Sequence, residues 1–206
     1  PVEFRYSDPV RGELRRDVNV VPLVAVGLDS KLLVVPLGTA ASQQRVLVRT
    51  RTFSTQPTNG TLRLRLPSGW TSAPAQAAFT LRSVQDRTTT PFTVTAPAGR
   101  TAGSFEIGVE AVVNGTSYTR DVQEIAYPHI QTHRLYWPAT LTTQVVDLKV
   151  APVRVGYVMG SGDQVPDALG QMGVAVTLLD DETLATGDLS VFDTVVVGIR
   201  ASEARP

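Results

Sequence analysis

The chain has 206 residues, 42% hydrophobic and 18% charged, which is enough apolar material for one or two ordinary cores. It has no cysteine, which excludes disulfides, thiolate metal sites and a cysteine nucleophile. No apolar run approaches the ~20 residues that span a bilayer.

The zero net charge is unevenly placed. Residues 1–150 carry 16 Lys+Arg against 11 Asp+Glu, and residues 151–206 carry 3 against 8. The change of sign coincides with a change of pattern and marks a module boundary. Neither part is charged enough to imply a nucleic-acid partner.

In chain order, Pro1–Arg16 is expected to be an extended arm (residues 1–18) from a preceding domain. The start at Pro1 and the stop directly after an apolar strand suggest a piece of a larger protein. Residues 19–150 read as short alternating strands. In Arg45–Phe53, Val46, Val48, Thr50 and Thr52 share one face, and Arg45, Leu47, Arg49 and Arg51 the other. Leu62, Leu64 and Leu66 alternate with Arg63 and Arg65. Phe105, Ile107, Val109, Ala111 and Val113 form a third apolar face. Phe79 with Leu81, and Phe92 with Val94, mark two shorter strands. Asn59-Gly60 and Asn114-Gly115 both read as hairpin tips, since a type I′ turn needs positive φ at both central residues. Seven or eight strands at this spacing predict an immunoglobulin-like sandwich.

Several residues admit two readings. The stripe Arg45, Arg49, Arg51, Arg63 and Arg65 is a solvated outer face, or a cationic surface for an anionic glycan or partner. The Asn-Gly-Thr triplets at Asn59 and Asn114 match the glycosylation sequon, but a turn accounts for them. Trp70, after Pro67-Ser68-Gly69, plugs the sandwich core or offers a sugar-stacking platform. Tyr118, Tyr136 and Trp137 are the other carbohydrate-stacking candidates. His129 and His133 are four apart, but Pro128 and Pro138 bracket them and no carboxylate accompanies them. No metal site is expected there.

From residue 151 the pattern is strand, Gly-rich turn, helix, strand, helix, strand, the start of a parallel α/β domain. Arg154–Met159 reads as a buried strand. Gly160-Ser161-Gly162-Asp163 is the turn, Asp163 the N-cap of a helix over Val165–Met172, and Gly173 its stop. Val174–Leu179 and Asp193–Gly198 are the next strands, with Asp180 or Asp181 opening a short helix between them. The expected strand order is 2-1-3 with right-handed crossovers. Ligands of open parallel sheets bind beyond the carboxyl ends of the strands, so Gly160, Ser161, Gly162 and Asp163 are the candidate ligand site. A tight turn with a cap accounts for the same residues, and Asp163 would repel a phosphate. Val195, Val197 and Ile199, with Val155, Tyr157 and Val158, are expected near open surface. Two outcomes are expected from that: self-association through the incomplete parallel sheet, or packing of this sheet on the β-sandwich.

These residues resemble a known arrangement. Pro1–Glu13 (PVEFRYSDPVRGE), Leu66–Trp70 (LPSGW), Tyr127–Ile130 (YPHI), Val155–Asp181 and Asp193–Ala201 together look like the C-terminal accessory region of bacterial PIG-L/LmbE-family deacetylases. The resemblance implies an immunoglobulin-like sandwich of the type associated with alpha-galactosidases and carbohydrate-binding modules. It implies next a partial flavodoxin-like or amidotransferase-like α/β parallel sheet. It implies a preceding deacetylase domain as partner, possible carbohydrate contact, and an exported bacterial setting, periplasmic or extracellular. The family's catalytic motif, Pro-His-Pro-Asp-Asp with a distal histidine, is missing here; Pro128-His129-Ile130 shares two letters with it and lacks the carboxylates. No catalytic residue carries over. Zinc is expected only in the preceding domain, and no cofactor in this chain.

Overall fold

The structure, a computed structural model, describes residues 2–127 and 129–204. Where an arm was expected, the chain folds into a hairpin of β1 (Glu3–Asp8) and β2 (Gly12–Asp17), paired antiparallel from Glu3↔Asp17 to Asp8↔Gly12. The Asp8 carboxylate accepts the backbone N–H groups of Val10 and Arg11 at 2.9 and 2.8 Å, and Gly12 has φ +77°. This local turn chemistry reverses the chain and was not recognised in the sequence.

The sandwich strands follow. They are β3 (Val24–Leu28), β4 (Leu32–Pro36), β5 (Ser42–Thr52), β6 (Thr58–Arg65), β7 (Thr71–Ala73) and β8 (Ala77–Leu81). Then come β9 (Arg87–Ala96), β10 (Gly103–Val113), β11 (Thr116–Tyr118), β12 (Arg120–Ile125), β13 (His133–Pro138) and β14 (Thr140–Val146). One sheet runs β4-β14-β10-β6-β8, with β11 paired to β10; the other runs β3-β5-β9-β7. A further two-stranded sheet joins β12 and β13. The larger sheet is not wholly antiparallel, because β14 pairs parallel with β4, Thr142↔Leu32 through Val146↔Pro36.

By packing, the chain divides into two compact units: residues 1–31, 45–94 and 106–141; and residues 32–44, 95–105 and 142–206. The first holds the main core. Val24, Val26 and Leu28 of β3 and Val46, Val48, Thr50 and Thr52 of β5 are buried, as are Ile107, Val109, Ala111 and Val113 of β10. These are the alternating positions that the sequence pattern selects. Every residue of β3 is buried, not only alternate ones, because its outer side is also covered. A Cβ at Gly27 would lie 2.3 Å from Asp121 Oδ2 of β12, so the β12–β13 hairpin lies over that side.

Asn59-Gly60 is not a turn. Both residues lie inside β6, paired with Thr80 and Phe79 of β8. The chain reverses earlier, between Thr52 and Thr58. Gly60 has a steric reason: a Cβ there would lie 2.6 Å from the Phe79 ring and 2.6 Å from Val112 O. A glycine inside a strand often marks such a close approach. Asn114-Gly115 is a turn, with φ +49° and +78°, joining β10 to β11.

In the second unit, β15 (Arg154–Val158), α1 (Val165–Gln171), β16 (Ala175–Leu179), α2 (Asp181–Thr186), β17 (Thr194–Val197) and α3 (Ala201–Ala204) follow in order. The sheet order is β16-β15-β17, all parallel. Val158, Leu179 and Ala201 form the buried cluster, with Leu184, Leu189 and Phe192 against it. Gly173, at φ +95°, ends α1, and Val174 N–H donates to Leu169 O. On the central strand Val155, Tyr157 and Val158 are buried. On the edge strand Val195 and Val197 are 39% and 65% exposed, and Ile199 beyond it 67%. Within this unit α1 lies against β4: Gln171 Oε1 accepts the Val34 N–H at 3.1 Å. Arg100 donates to the carbonyls of Pro36, Ala40 and Pro97, which straps the β4–β5 connection. No helix among the described residues is long and apolar enough to cross a membrane.

Candidate functional site

The turn at the carboxyl end of β15 is built around one carboxylate. Tyr157 OH donates to Asp163 Oδ2 at 2.5 Å, and the Val165 N–H donates to Oδ1 at 2.9 Å. Asp163 is thus held below the ordinary aspartate range, chiefly by the Tyr157 hydroxyl and then by the Val165 N–H. Tyr157 is pushed up to about 12, first by the same hydrogen bond. Asp163 therefore stays ionised and Tyr157 stays protonated across the ordinary pH range. Each carboxylate oxygen thus accepts one protein donor, Tyr157 OH at Oδ2 and the Val165 N–H at Oδ1.

The glycines complete this knot. A Cβ on Gly160 would lie 2.2 Å from Ile199 O, and one on Gly198 would lie 2.4 Å from Asp163 Oδ2. Ser161 N–H donates to Ile199 O at 2.9 Å, and Gly198 N–H to Val158 O at 2.9 Å. The Gly-rich turn thus lets the β15–α1 and β17–α3 connections touch. Asp163 is not the N-cap of α1; that position is Gln164, which makes no side-chain cap bond. Its bond to the N–H two residues on is an Asx-type turn that leads into the helix. Of the four consecutive turn residues, Gly162, at φ +67°, has nothing within 4 Å of its Cβ direction, while Gly160, Ser161 and Asp163 take part in a structural clasp. Tyr157 and Gly198 are its unrecognised members: Tyr157 read only as an apolar strand residue, and a lone glycine after a strand gave no signal.

The aromatic candidates separate. Trp70 is 8% exposed, which places its ring in the core and removes it as a sugar platform. Tyr118 is half-buried on β11. Tyr136 and Trp137 are 36% and 50% exposed, but they are consecutive on β13 and so point to opposite sides. Tyr136 OH also donates to Val20 O at 2.6 Å. Trp137 is left, with Leu135 on its side of the hairpin. His133 lies in β13 and His129 in a turn, stacked on Tyr127 with centroids 5.9 Å apart. The two histidines therefore share no helical face. Pro128 lies outside the described residues. Among those residues no three His, Cys, Asp or Glu side chains gather as metal ligands.

The arginine stripe is largely engaged. Arg51 lies 2.8 Å from Glu124 Oε2 of β12, bonds Gln85, and sits 4.6 Å from the Phe53 ring centroid. Arg49 bonds Leu28 O and lies 3.5 Å from Asp29 and 3.6 Å from Asp121. On the other sheet Arg63 Nε lies 2.7 Å from Glu110, whose other oxygen accepts from Ser117 Oγ. These bonds hold Glu110 below the usual glutamate range, the one from Arg63 first. Much of the stripe thus fastens strands and the β12–β13 hairpin to the sandwich.

Residues 41–114 match the family described as the NPCBM-associated, NEW3 domain of alpha-galactosidase. That segment is the middle of the β module, from the start of β5 to the Asn114 turn, and the match supports an immunoglobulin-like accessory sandwich of the carbohydrate-associated type. No curated protein matches the chain. Among solved structures, the MG7-to-C-terminus part of Escherichia coli alpha-2-macroglobulin is 14% identical, with a TM-score of 0.35. It covers 59% of this chain, which spans 16% of that one. The seventh ASH/PapD-like domain of human CEP192 is 14% identical over 65% of this chain and 94% of its own, with a TM-score of 0.33.

Proposed function

We propose that this chain is a non-catalytic accessory region of a carbohydrate-active enzyme, namely a PIG-L-like, metal-dependent N-acetyl-sugar deacetylase. The observation that carries the reading is the NEW3 match over residues 41–114. The order of motifs that resembles the deacetylase accessory region, from Pro1–Glu13 to Asp193–Ala201, adds the identity of the parent. The geometry agrees with an accessory role. The Gly-rich turn at the carboxyl end of β15 is closed on itself by Asp163. Zinc does not fit this chain's donors, since its two histidines are not joined by a carboxylate cluster among the described residues. The metal belongs to the catalytic domain, and this region supports or targets that domain.

The role is tested by deleting residues 19–206 from the whole polypeptide. Turnover of conjugated or polymeric N-acetylglucosamine should fall, while turnover of a small soluble substrate is kept. Unchanged turnover on both would count against a supporting role.

Sugar binding by the sandwich itself is the second reading, and the exposure of Trp137 favours it. An exposed indole presents an apolar face on which a pyranose ring can stack. Affinity electrophoresis in polymeric N-acetylglucosamine should show retardation that Trp137→Ala abolishes. Equal mobility of the two proteins would remove this reading.

A further inference from the structure

We propose that the Asn114-Gly115 turn is a site of spontaneous deamidation, with water as co-reactant, and that the same dipeptide at Asn59-Gly60 is protected by the fold. The reaction closes a five-membered ring. The Gly115 backbone nitrogen, losing its proton to solvent base, attacks Cγ of Asn114. The new C–N bond forms as the Cγ–Nδ2 bond breaks and ammonia leaves. Water then opens the succinimide at either carbonyl, giving aspartate or isoaspartate, and no oxidant or reductant is needed. A following glycine favours ring closure because it has no side chain to obstruct the approach and few backbone restrictions.

Asn19 precedes β-branched Val20, so the two Asn-Gly steps are the ones to compare. Both asparagines are exposed, so exposure does not separate them. Backbone freedom does. Around Gly115 nothing lies within 4 Å of the Cβ direction, and the step sits at φ +49° and +78° in a two-residue turn. Around Gly60 the same direction meets the Phe79 ring and Val112 O at 2.6 Å. Asn59 and Gly60 are paired with Thr80 and Phe79, and the Asn59 side-chain oxygen accepts from Thr80 Oγ1 at 2.8 Å. Reaction at Asn59 requires β6 to leave the sheet interior; reaction at Asn114 requires only that a surface turn breathe.

Isoaspartate formation has a structural consequence. It inserts an extra methylene into a loop whose length sets the register of β11 on β10. Ser117, which bonds Glu110, is paired with Val112 across that turn. Ageing at Asn114 should therefore detach β11 and release the Ser117–Glu110 contact.

The test is to incubate the full chain at mildly alkaline pH and follow both sites by peptide mapping with isoaspartate-specific methylation. Asn114 should react at least roughly ten-fold faster than Asn59 in the folded protein. In denaturant the two rates should converge. Comparable rates in the folded state, or a preference that persists in denaturant, would overturn the proposal. Hydrogen exchange on the aged fraction should show lost protection at Thr116–Tyr118, whereas Asn114→Asp, which keeps the normal linkage, should retain it. Retained protection in the isoaspartate form would overturn the register consequence.

Discussion

Gly160→Ala decides whether the turn after β15 is a clasp or a ligand cradle. The added Cβ would sit 2.2 Å from Ile199 O, 2.7 Å from Ile199 N and 2.8 Å from the Gly198 carbonyl carbon. All three are backbone atoms, so no side-chain rotation relieves the clash. One chain segment must move, which breaks the Ser161-to-Ile199 bond and draws the Asp163 carboxyl away from its donors. Overpacking of this kind costs about 1–3 kcal/mol. Gly170→Ala is the internal control. Gly170 lies within α1, and nothing stands within 4 Å of its Cβ direction. Alanine there should stabilise by up to about 1 kcal/mol through helix propensity alone. The assay is a urea melt by circular dichroism, combined with amide exchange over Arg154–Val158. Gly160→Ala should lower the midpoint and speed exchange; Gly170→Ala should do neither. A Gly160→Ala protein with an unchanged midpoint and unchanged β15 protection would refute the clasp.

Other outcomes follow from the same reasoning. Trp70→Ala should cost about 3–5 kcal/mol in a denaturant melt, because the ring is a core residue, whereas Trp137→Ala should fall within about 0.5 kcal/mol of the parent. Arg51→Ala should cost about 1–3 kcal/mol. It should stay below the cost of a wholly orphaned buried charge because Arg134, 3.4 Å from Glu124, remains as partner. Loss of exchange protection confined to β12 and β13 would show that the hairpin, not the core, has come loose. Glu110 titrates lower in the folded state than unfolded, so its stabilisation is full above the ordinary glutamate range. It fades as pH falls from the ordinary glutamate range through the lower folded value. Thermal melts across that window should be flatter for Glu110→Gln, and an identical slope in both proteins would contradict the assignment.

The strands were legible because burial imposes period two. Val46, Val48, Thr50 and Thr52 lie inward as their alternation predicts, and the Gly173 stop and the 2-1-3 order could be read from local grammar. What stayed hidden depends on distant partners. Arg51 looks the same in sequence whether it meets water or Glu124, which lies 73 positions away. The parallel pairing of β14 with β4 likewise joins segments more than a hundred residues apart. Asn-Gly is the sharpest case: one dipeptide makes a turn at Asn114 and a strand interior at Asn59, and the Phe79 ring decides between them. At the candidate site the four turn residues were visible, but their meaning was not. Asp163 accepts the hydroxyl of Tyr157, a strand residue, and Ser161 N–H meets the carbonyl of the distant Ile199, contacts beyond the reach of any local motif.

The central claim is that catalysis resides outside this chain. The most direct measurement is deacetylation of N-acetylglucosamine conjugates, with zinc supplied, by residues 1–206 alone and by the whole polypeptide that contains them. The account predicts acetate release by the whole polypeptide and none above a blank by residues 1–206. Turnover by residues 1–206 alone, or a whole polypeptide inert toward every N-acetyl sugar, would contradict it.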